Sequence, residues 1–182
     1  MRTMWITLQV WDVSGCQRAA FAHGKKPLIR FLRQVSFTAD GWFYPLVPLA
    51  FLFQGARSGL SVLLQLALGF TLLVPAFKLA KHAVKRLRPM EGPWGLQALV
   101  IPGDAFSFPS GHTASAFLVG TVVIGQAPAL LAPVAAWALT VALSRVALGV
   151  HFPSDVLAGG AFGLAAARGA RALLDAAGWL AA

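Results

Sequence analysis

The chain has 182 residues, 58% hydrophobic and 12% charged, with 15 Lys and Arg against 6 Asp and Glu for a net charge of +9. Soluble domains carry about 25% charged residues, so this composition leaves too little polar surface to coat a water-soluble helical core. The length suits one domain spanning residues 1–182. A basic balance fits nucleic acid, anionic lipid or an acidic substrate. No nucleic-acid motif is present, and the apolar stretches favour the bilayer and a phosphorylated lipid as partners. The single cysteine, Cys16, excludes an intrachain disulfide and reads as a small buried or interfacial residue.

In residues 1–36, Trp5, Ile6, Leu8, Val10 and Trp11, then Leu28, Ile29 and Leu32, predict amphipathic helices lying in the membrane interface. Gly24 and Pro27 separate the two pieces. The scattered charges Asp12, Arg18, Lys25, Lys26, Arg30 and Arg33 do not resemble a cleaved signal peptide. A first span is predicted from near Phe37 to Gln54, with Trp42 and Tyr44 at an aromatic belt and Asp40-Gly41 as a structural turn. Ser58–Ala80 is the second span, its helix continuing through Arg88 until Pro89 stops it.

Met90–Phe108 reads as a loop broken by Gly92, Pro93, Gly95, Pro102 and Gly103, with Asp104 capping it and Phe106 and Phe108 packing. A third span follows Pro109-Ser110-Gly111 to about Ile124, Leu130–Val150 is the fourth, and a fifth runs from Pro153 to near Leu174. The predicted class is all-α: a multi-pass transmembrane bundle of about five spans over residues 37–182, preceded by the interfacial helices. Counting spans puts the end of the second, the start of the third, the end of the fourth and the start of the fifth at one membrane face. All three polar stretches of the chain lie there, within residues 81–155.

In the first stretch, Lys81 and Arg88 are seven residues apart, about two helical turns, so a continuous helix would present both, with Lys85, on one face. Alone, this cluster also suits cations that snorkel to lipid phosphates. In the second, Pro109-Ser110-Gly111-His112 opens an apolar helix. Ser110 suits the N-cap, Gly111 permits close backbone approach, and the free N–H groups of a helix start bind anions. In the third, Gly149 can end a helix and turn the chain so that Arg145 and His151 meet. Asp155, four residues beyond His151, can hold one ring nitrogen protonated and free the other for attack. His23 and His82 read as interfacial bystanders.

Lys81-x6-Arg88-Pro89, Pro109-Ser110-Gly111-His112 and Ser144-Arg145-x5-His151-x3-Asp155 together resemble the three-part signature of the type 2 phosphatidic acid phosphatase superfamily. That superfamily includes bacterial lipid phosphate phosphatases, undecaprenyl diphosphate phosphatases, glucose-6-phosphatase and vanadium haloperoxidases. Every signature position matches at family spacing across residues 81–155, whereas many membrane members have six spans rather than five. The resemblance implies a phosphatase in which His151 is the nucleophile, Asp155 orients it, and His112 serves as general acid and then base. Lys81, Arg88 and Arg145, with Ser110 and the Gly111 N–H, would hold the phosphate.

No cofactor is expected, and the acidic residues are too few and scattered to build a magnesium site. Undecaprenyl diphosphate, phosphatidic acid and phosphatidylglycerol phosphate all suit such a site, with the first favoured for a small bacterial member. The oligomeric state is open. Bacterial relatives imply an inner-membrane protein with a periplasmic site. The positive-inside rule points the other way, because the site face collects Arg2, Arg18, Lys25, Lys26, Arg30 and Arg33 while the opposite face has Arg57, Arg168 and Arg171. A non-catalytic lipid-binding membrane protein and a vanadate-dependent oxidase are the rival classes.

Overall fold

A computed structural model describes residues 2–20 and 24–180, with side chains from residue 7 onward in that range. The expectations for Arg2, Trp5, Ile6 and His23 therefore lie outside the described side chains. The helices are α1 (Arg2–Ala19), α2 (Lys26–Phe37), α3 (Leu46–Leu52), α4 (Ala56–Val84), α5 (Gly111–Gln126), α6 (Leu131–Ala147) and α7 (Pro153–Ala176). Short 3-10 turns occupy Pro89–Glu91 and Pro128–Leu130. Among the described residues all regular structure is helical, as composition and periodicity predict.

The bundle is centred on α5. Its Ala114, Leu118, Val119, Val122 and Val123 pack with Val62, Leu66 and Leu73 of α4 and with Ala166 and Ala167 of α7. Contact between α5 and α7 is the most extensive in the molecule. Small residues make it possible: a Cβ at Gly163 would stand 2.1 Å from the Ala114 carbonyl oxygen, and one at Gly159 2.4 Å from that of Ser110. Such stripes let helix backbones approach where no hydrophobic driving force separates helix from lipid. Replacing Gly163 with valine is expected to cost about 1–3 kcal/mol by overpacking, read as a lower midpoint of thermal unfolding in detergent.

Outward-facing apolar side chains run along the same helices: Leu60, Leu63, Leu72 and Leu79 on α4, Leu139 and Leu143 on α6, and Leu157 on α7. An exposed apolar surface of this extent marks contact with a membrane or a partner. Ala56–Glu91 and Pro128–Ala147 are long and apolar enough to cross a bilayer. The region predicted as the first span is not one helix. Residues 38–45 form turns, with Gly41 at φ +95°, and α3 has only 7 residues. At 1.5 Å per residue α3 is far shorter than a hydrocarbon core of about 30 Å. Trp42 is 78% exposed, as a belt residue would be, but Tyr44 is buried. Its ring stacks on Phe70, and its hydroxyl donates to Ser115 Oγ at 2.8 Å.

The N-terminal helices differ in how they dock. On α2, Leu28, Ile29 and Leu32 pack against Ala147, Leu148 and Val150, leaving Arg30 and Arg33 outside. On α1, Leu8, Val10 and Trp11 face outward while Asp12 and Cys16 are buried. Burial pushes the Cys16 thiol up to about 12, which suits an inert packing residue.

Candidate active site

The expected helix through Arg88 ends earlier. α4 stops at Val84 because Lys85 adopts a left-handed conformation, φ 48° and ψ 40°. Lys85 is thereby left exposed rather than on one face with Lys81 and Arg88. Arg88 is extended, its N–H donating to Glu91 Oε2 at 2.7 Å across the 3-10 turn that Pro89 opens. Lys81 and Arg88 still meet, because both reach Asp104: Lys81 Nζ lies 2.6 Å from Oδ2, and an Arg88 nitrogen 2.6 Å from Oδ1. Burial favours the neutral acid, but the two cations and their hydrogen bonds outweigh it and hold Asp104 below the usual carboxylate range. The expected loop cap is thus an ion-pair bridge. Arg88 also donates to the carbonyls of Val150 and Phe106, at 2.6 and 3.2 Å, tying the first stretch to the third.

The second and third stretches join at their backbones: the Ser110 N–H donates to the Asp155 carbonyl at 2.9 Å. Ser110 takes the N-cap position of α5 but makes no side-chain cap bond, and its hydroxyl pairs instead with Thr113 Oγ1 at 3.0 Å. Gly111 opens the helix close to the Phe77 ring, where an added Cβ would be only 3.1 Å from a ring carbon. His112, in the first turn, is paired through Nε2 with the Asp40 carboxylate. The residue read as part of a structural turn thus orients a candidate acid–base imidazole. His82 is exposed and bonds to the Lys78 carbonyl, away from this arrangement.

Gly149 turns the chain as predicted, at φ +74°, in contact with the carbonyl of Gln97, where no side chain would fit. The N–H groups of Val150 and His151 fold back onto the Arg145 carbonyl, at 3.2 and 3.3 Å, bringing the two side chains into one neighbourhood. Arg145 is buried beneath α2, where it donates to Ser36 Oγ. Its Nε is the one buried side-chain nitrogen or oxygen without a partner among the described residues. A buried, unpaired donor on a cation is costly unless a ligand completes it.

His151 is held differently from expectation. Its Nδ1 lies 2.7 Å from the Ser107 carbonyl oxygen but 3.8 Å from Asp155 Oδ2, too far for a hydrogen bond. A carbonyl can only accept, so Nδ1 carries the proton and the neutral ring leaves Nε2 with a free lone pair. Asp155 Oδ2 is instead occupied by the Phe152 N–H at 2.8 Å, capping α7, and Oδ1 by Arg86 at 2.9 Å. Burial, assisted by the charges of Arg145 and Arg88 and opposed by Asp155, pushes the His151 imidazole down to about 4. The ring is therefore neutral, the form a nucleophile needs.

A cavity of about 1020 Å³ reaches this cluster, lined by Arg145 and His112 and by Arg33, Phe37, Phe43 and Ile101. No group of three or more His, Cys, Asp or Glu is placed to hold a metal ion among the described residues. The structure thus brings together all eight residues singled out by spacing, and adds Arg86, Asp40, Ser36 and the Ser107 carbonyl.

The sequence profile of the PAP2 superfamily matches residues 55–179, which contain all three stretches. The chain belongs to the PAP2 superfamily. Within it, the chain is 40% identical over 89 residues to the decaprenylphosphoryl-5-phosphoribose phosphatase of Mycobacterium tuberculosis strain H37Rv, covering 47% of this chain and 46% of that protein. The protein of the same name from Mycolicibacterium smegmatis is 40% identical over 83 residues, covering 43% of this chain and 42% of that one. The chain therefore spans about half the length of the curated relatives it matches.

Among solved structures, the first transmembrane PAP2-type phosphatidylglycerolphosphate phosphatase from Bacillus subtilis superposes with a TM-score of 0.72 at 23% identity, over 93% of this chain and 87% of that one. Aquifex aeolicus LpxE superposes with a TM-score of 0.68 at 25% identity, over 88% of this chain and 94% of that one. The PAP2 membrane-phosphatase fold thus extends beyond the matched segment to nearly the whole chain.

Proposed function

We propose that this PAP2 superfamily member is an integral membrane lipid phosphatase that removes a terminal phosphate through a phosphohistidine on His151. The observation that carries the reading is the charge balance of the pocket. Three cations, Lys81, Arg88 and Arg145, are buried together; among the described residues only the Asp104 carboxylate pairs directly with any of them, and Arg145 Nε has no partner. A phosphate dianion would supply both the missing charge and the missing acceptor. His151 Nε2 would attack phosphorus while His112 protonates the departing oxygen. His112 would then take a proton from water as the water attacks the phosphohistidine, releasing phosphate and restoring both imidazoles. Lys81, Arg88, Arg145, Ser110 and the Gly111 N–H would hold the equatorial oxygens. No step needs a metal.

The substrate reading is a polyprenyl lipid with a terminal phosphate, with undecaprenyl diphosphate leading. A second reading, a polyprenyl-linked sugar phosphate, is supported by the decaprenylphosphoryl-5-phosphoribose phosphatases and by a cavity far larger than a phosphate ion. Phosphatidic acid and phosphatidylglycerol phosphate are the glycerolipid alternatives. The proposed placement is multi-pass in the inner membrane, with α4 and α6, long and apolar enough to cross, joined by α5 and α7, and with the site at the periplasmic face on the family resemblance, against the positive-inside count.

Phosphate release from each purified lipid, in EDTA with and without vanadate, tests the reading. Activity on a polyprenyl substrate that survives EDTA and is blocked by low vanadate is expected, since vanadate mimics the five-coordinate transition state. Inertness toward every lipid would overturn it. The pH profile is a further prediction. The attacking ring must be neutral, so kcat/KM falls as pH drops through the His151 pKa of the free enzyme. With that value near 4, the acid limb is expected well below the ordinary histidine value of about 6.5, and a limb near 6.5 would contradict it.

A further inference from the structure

Arg86 lies inside the first signature stretch but at an unassigned position, and Asp12 lies on α1, outside the matched residues 55–179. Yet both reach the support of His151. One Arg86 nitrogen donates to Asp155 Oδ1 at 2.9 Å and to Ser154 Oγ at 2.7 Å, and the other to Asp12 Oδ2 at 2.6 Å. The fully buried Asp12 carboxylate then closes the ring by accepting from the Ser154 N–H at 2.9 Å and the Ser154 hydroxyl at 2.6 Å. The Arg86 guanidinium also covers the Phe152 ring at 4.1 Å. Its backbone carbonyl accepts from the Ser107 N–H at 2.8 Å, and Ser107 is the residue whose own carbonyl fixes His151 Nδ1. One residue therefore anchors both sides of the His151 loop: its main chain holds Ser107, whose carbonyl fixes the imidazole, and its side chain holds Asp155, which caps α7 with its carboxylate 3.8 Å from the ring.

We propose that Asp12 and Arg86 form a positioning pair that fixes the His151 loop, making α1 a working part of the active site rather than a membrane-surface appendage. This rests on the reading of His151 as nucleophile. Neither residue is among those lining the cavity; they act through Asp155, Ser154 and Ser107. The fork geometry explains the choice of arginine, since one planar guanidinium bridges two carboxylates where a lysine ammonium would hold one. The charged and titratable groups around the His151–Asp155 unit are Asp12 and Cys16 on α1, Lys81 on α4, Arg86 and Arg88 beyond it, Asp104 in the loop, His112 on α5 and Arg145 on α6. Arg86 is the cation bonded directly to Asp155.

The test is steady-state kinetics of the full chain in detergent for Arg86→Gln, Arg86→Lys, Asp12→Asn and the Asp12→Asn/Arg86→Gln double variant, with His151→Ala as control. Misplacing a reacting group by about 1 Å costs about 100-fold. Arg86→Gln is therefore expected to lower kcat by about that factor with KM nearly unchanged. Arg86→Lys should recover part of the loss, and the double variant should be no worse than Arg86→Gln, because the two residues act as one unit. The acid limb of kcat/KM should also move to higher pH in Arg86→Gln, since an unneutralised Asp155 favours the imidazolium.

A purely structural role would leave that limb in place. Wild-type kcat in Arg86→Gln, or an unmoved limb with fully additive losses, overturns the proposal. If Arg86→Gln does not yield folded protein, the nearly isosteric Asp12→Asn decides alone, and wild-type kcat and limb there are equally fatal. Retained activity in His151→Ala would instead overturn the nucleophile reading.

Discussion

Replacing His151 with alanine is expected to abolish phosphate release, by about four orders of magnitude or more. The imidazole is buried, and its Nδ1 is committed to the Ser107 carbonyl, so Nε2 is the only reactive atom it can present. Deleting it leaves the cations to bind substrate, so affinity measured with the uncleaved lipid should persist while turnover is lost. Removing a nucleophile from a unit that acts together costs nearly the whole covalent contribution, not a share of it. Enzyme denatured in alkaline detergent during turnover of a phosphate-labelled lipid should carry the label on this residue, in an alkali-stable, acid-labile linkage. Full turnover in the alanine variant, or label elsewhere, would contradict the assignment.

Replacing His112 with alanine is expected to cost about 10²–10⁴ in kcat, the usual contribution of a positioned general acid–base. His112 stands at the first turn of α5, paired with Asp40, and shares the cavity wall with Arg145. Its loss should be felt in proportion to how poor the leaving group is. A substrate with an activated leaving group, such as an aryl phosphate, needs little protonation and should be phosphorylated onto His151 nearly as fast as in the wild type. Hydrolysis of the phosphohistidine would still lack its base, so a burst of leaving group followed by slow turnover is the expected signature. No burst, with equal losses on activated and unactivated substrates, would assign His112 a binding role instead.

Signature spacing was enough to name Lys81, Arg88, Ser110, Gly111, His112, Arg145, His151 and Asp155, because those residues sit at the ends of apolar helices whose lengths the sequence makes plain. Their partners were harder to see. The Asp155–His151 contact predicted from an i,i+4 spacing is 3.8 Å, since the Phe152 N–H and Arg86 claim the carboxylate first. The continuous helix through Arg88 fails at Lys85, a left-handed residue that no local glycine or proline announces. The scarcity of acids was the unread signal. Of the 6 acidic residues, Asp12, Asp40, Glu91, Asp104 and Asp155 each bond within or beside the site, and only Asp175, paired with Arg171, does not. In so apolar a chain a carboxylate with no cation to meet would be costly, so each aspartate pointed to a partner that sequence order alone does not identify.

The cavity lining includes Phe37, Phe43 and Ile101, the last 96% exposed. On the proposed membrane placement, apolar side chains in that lining suit a ligand arriving sideways, from the plane of the bilayer. For the lipid phosphatase proposed above, the relevant concentration is then the mole fraction of substrate within the membrane, not its amount per volume of water. Diluting the substrate with inert phospholipid at constant bulk concentration should slow the reaction, whereas diluting the vesicles at constant lipid composition should leave the rate per reconstituted enzyme unchanged.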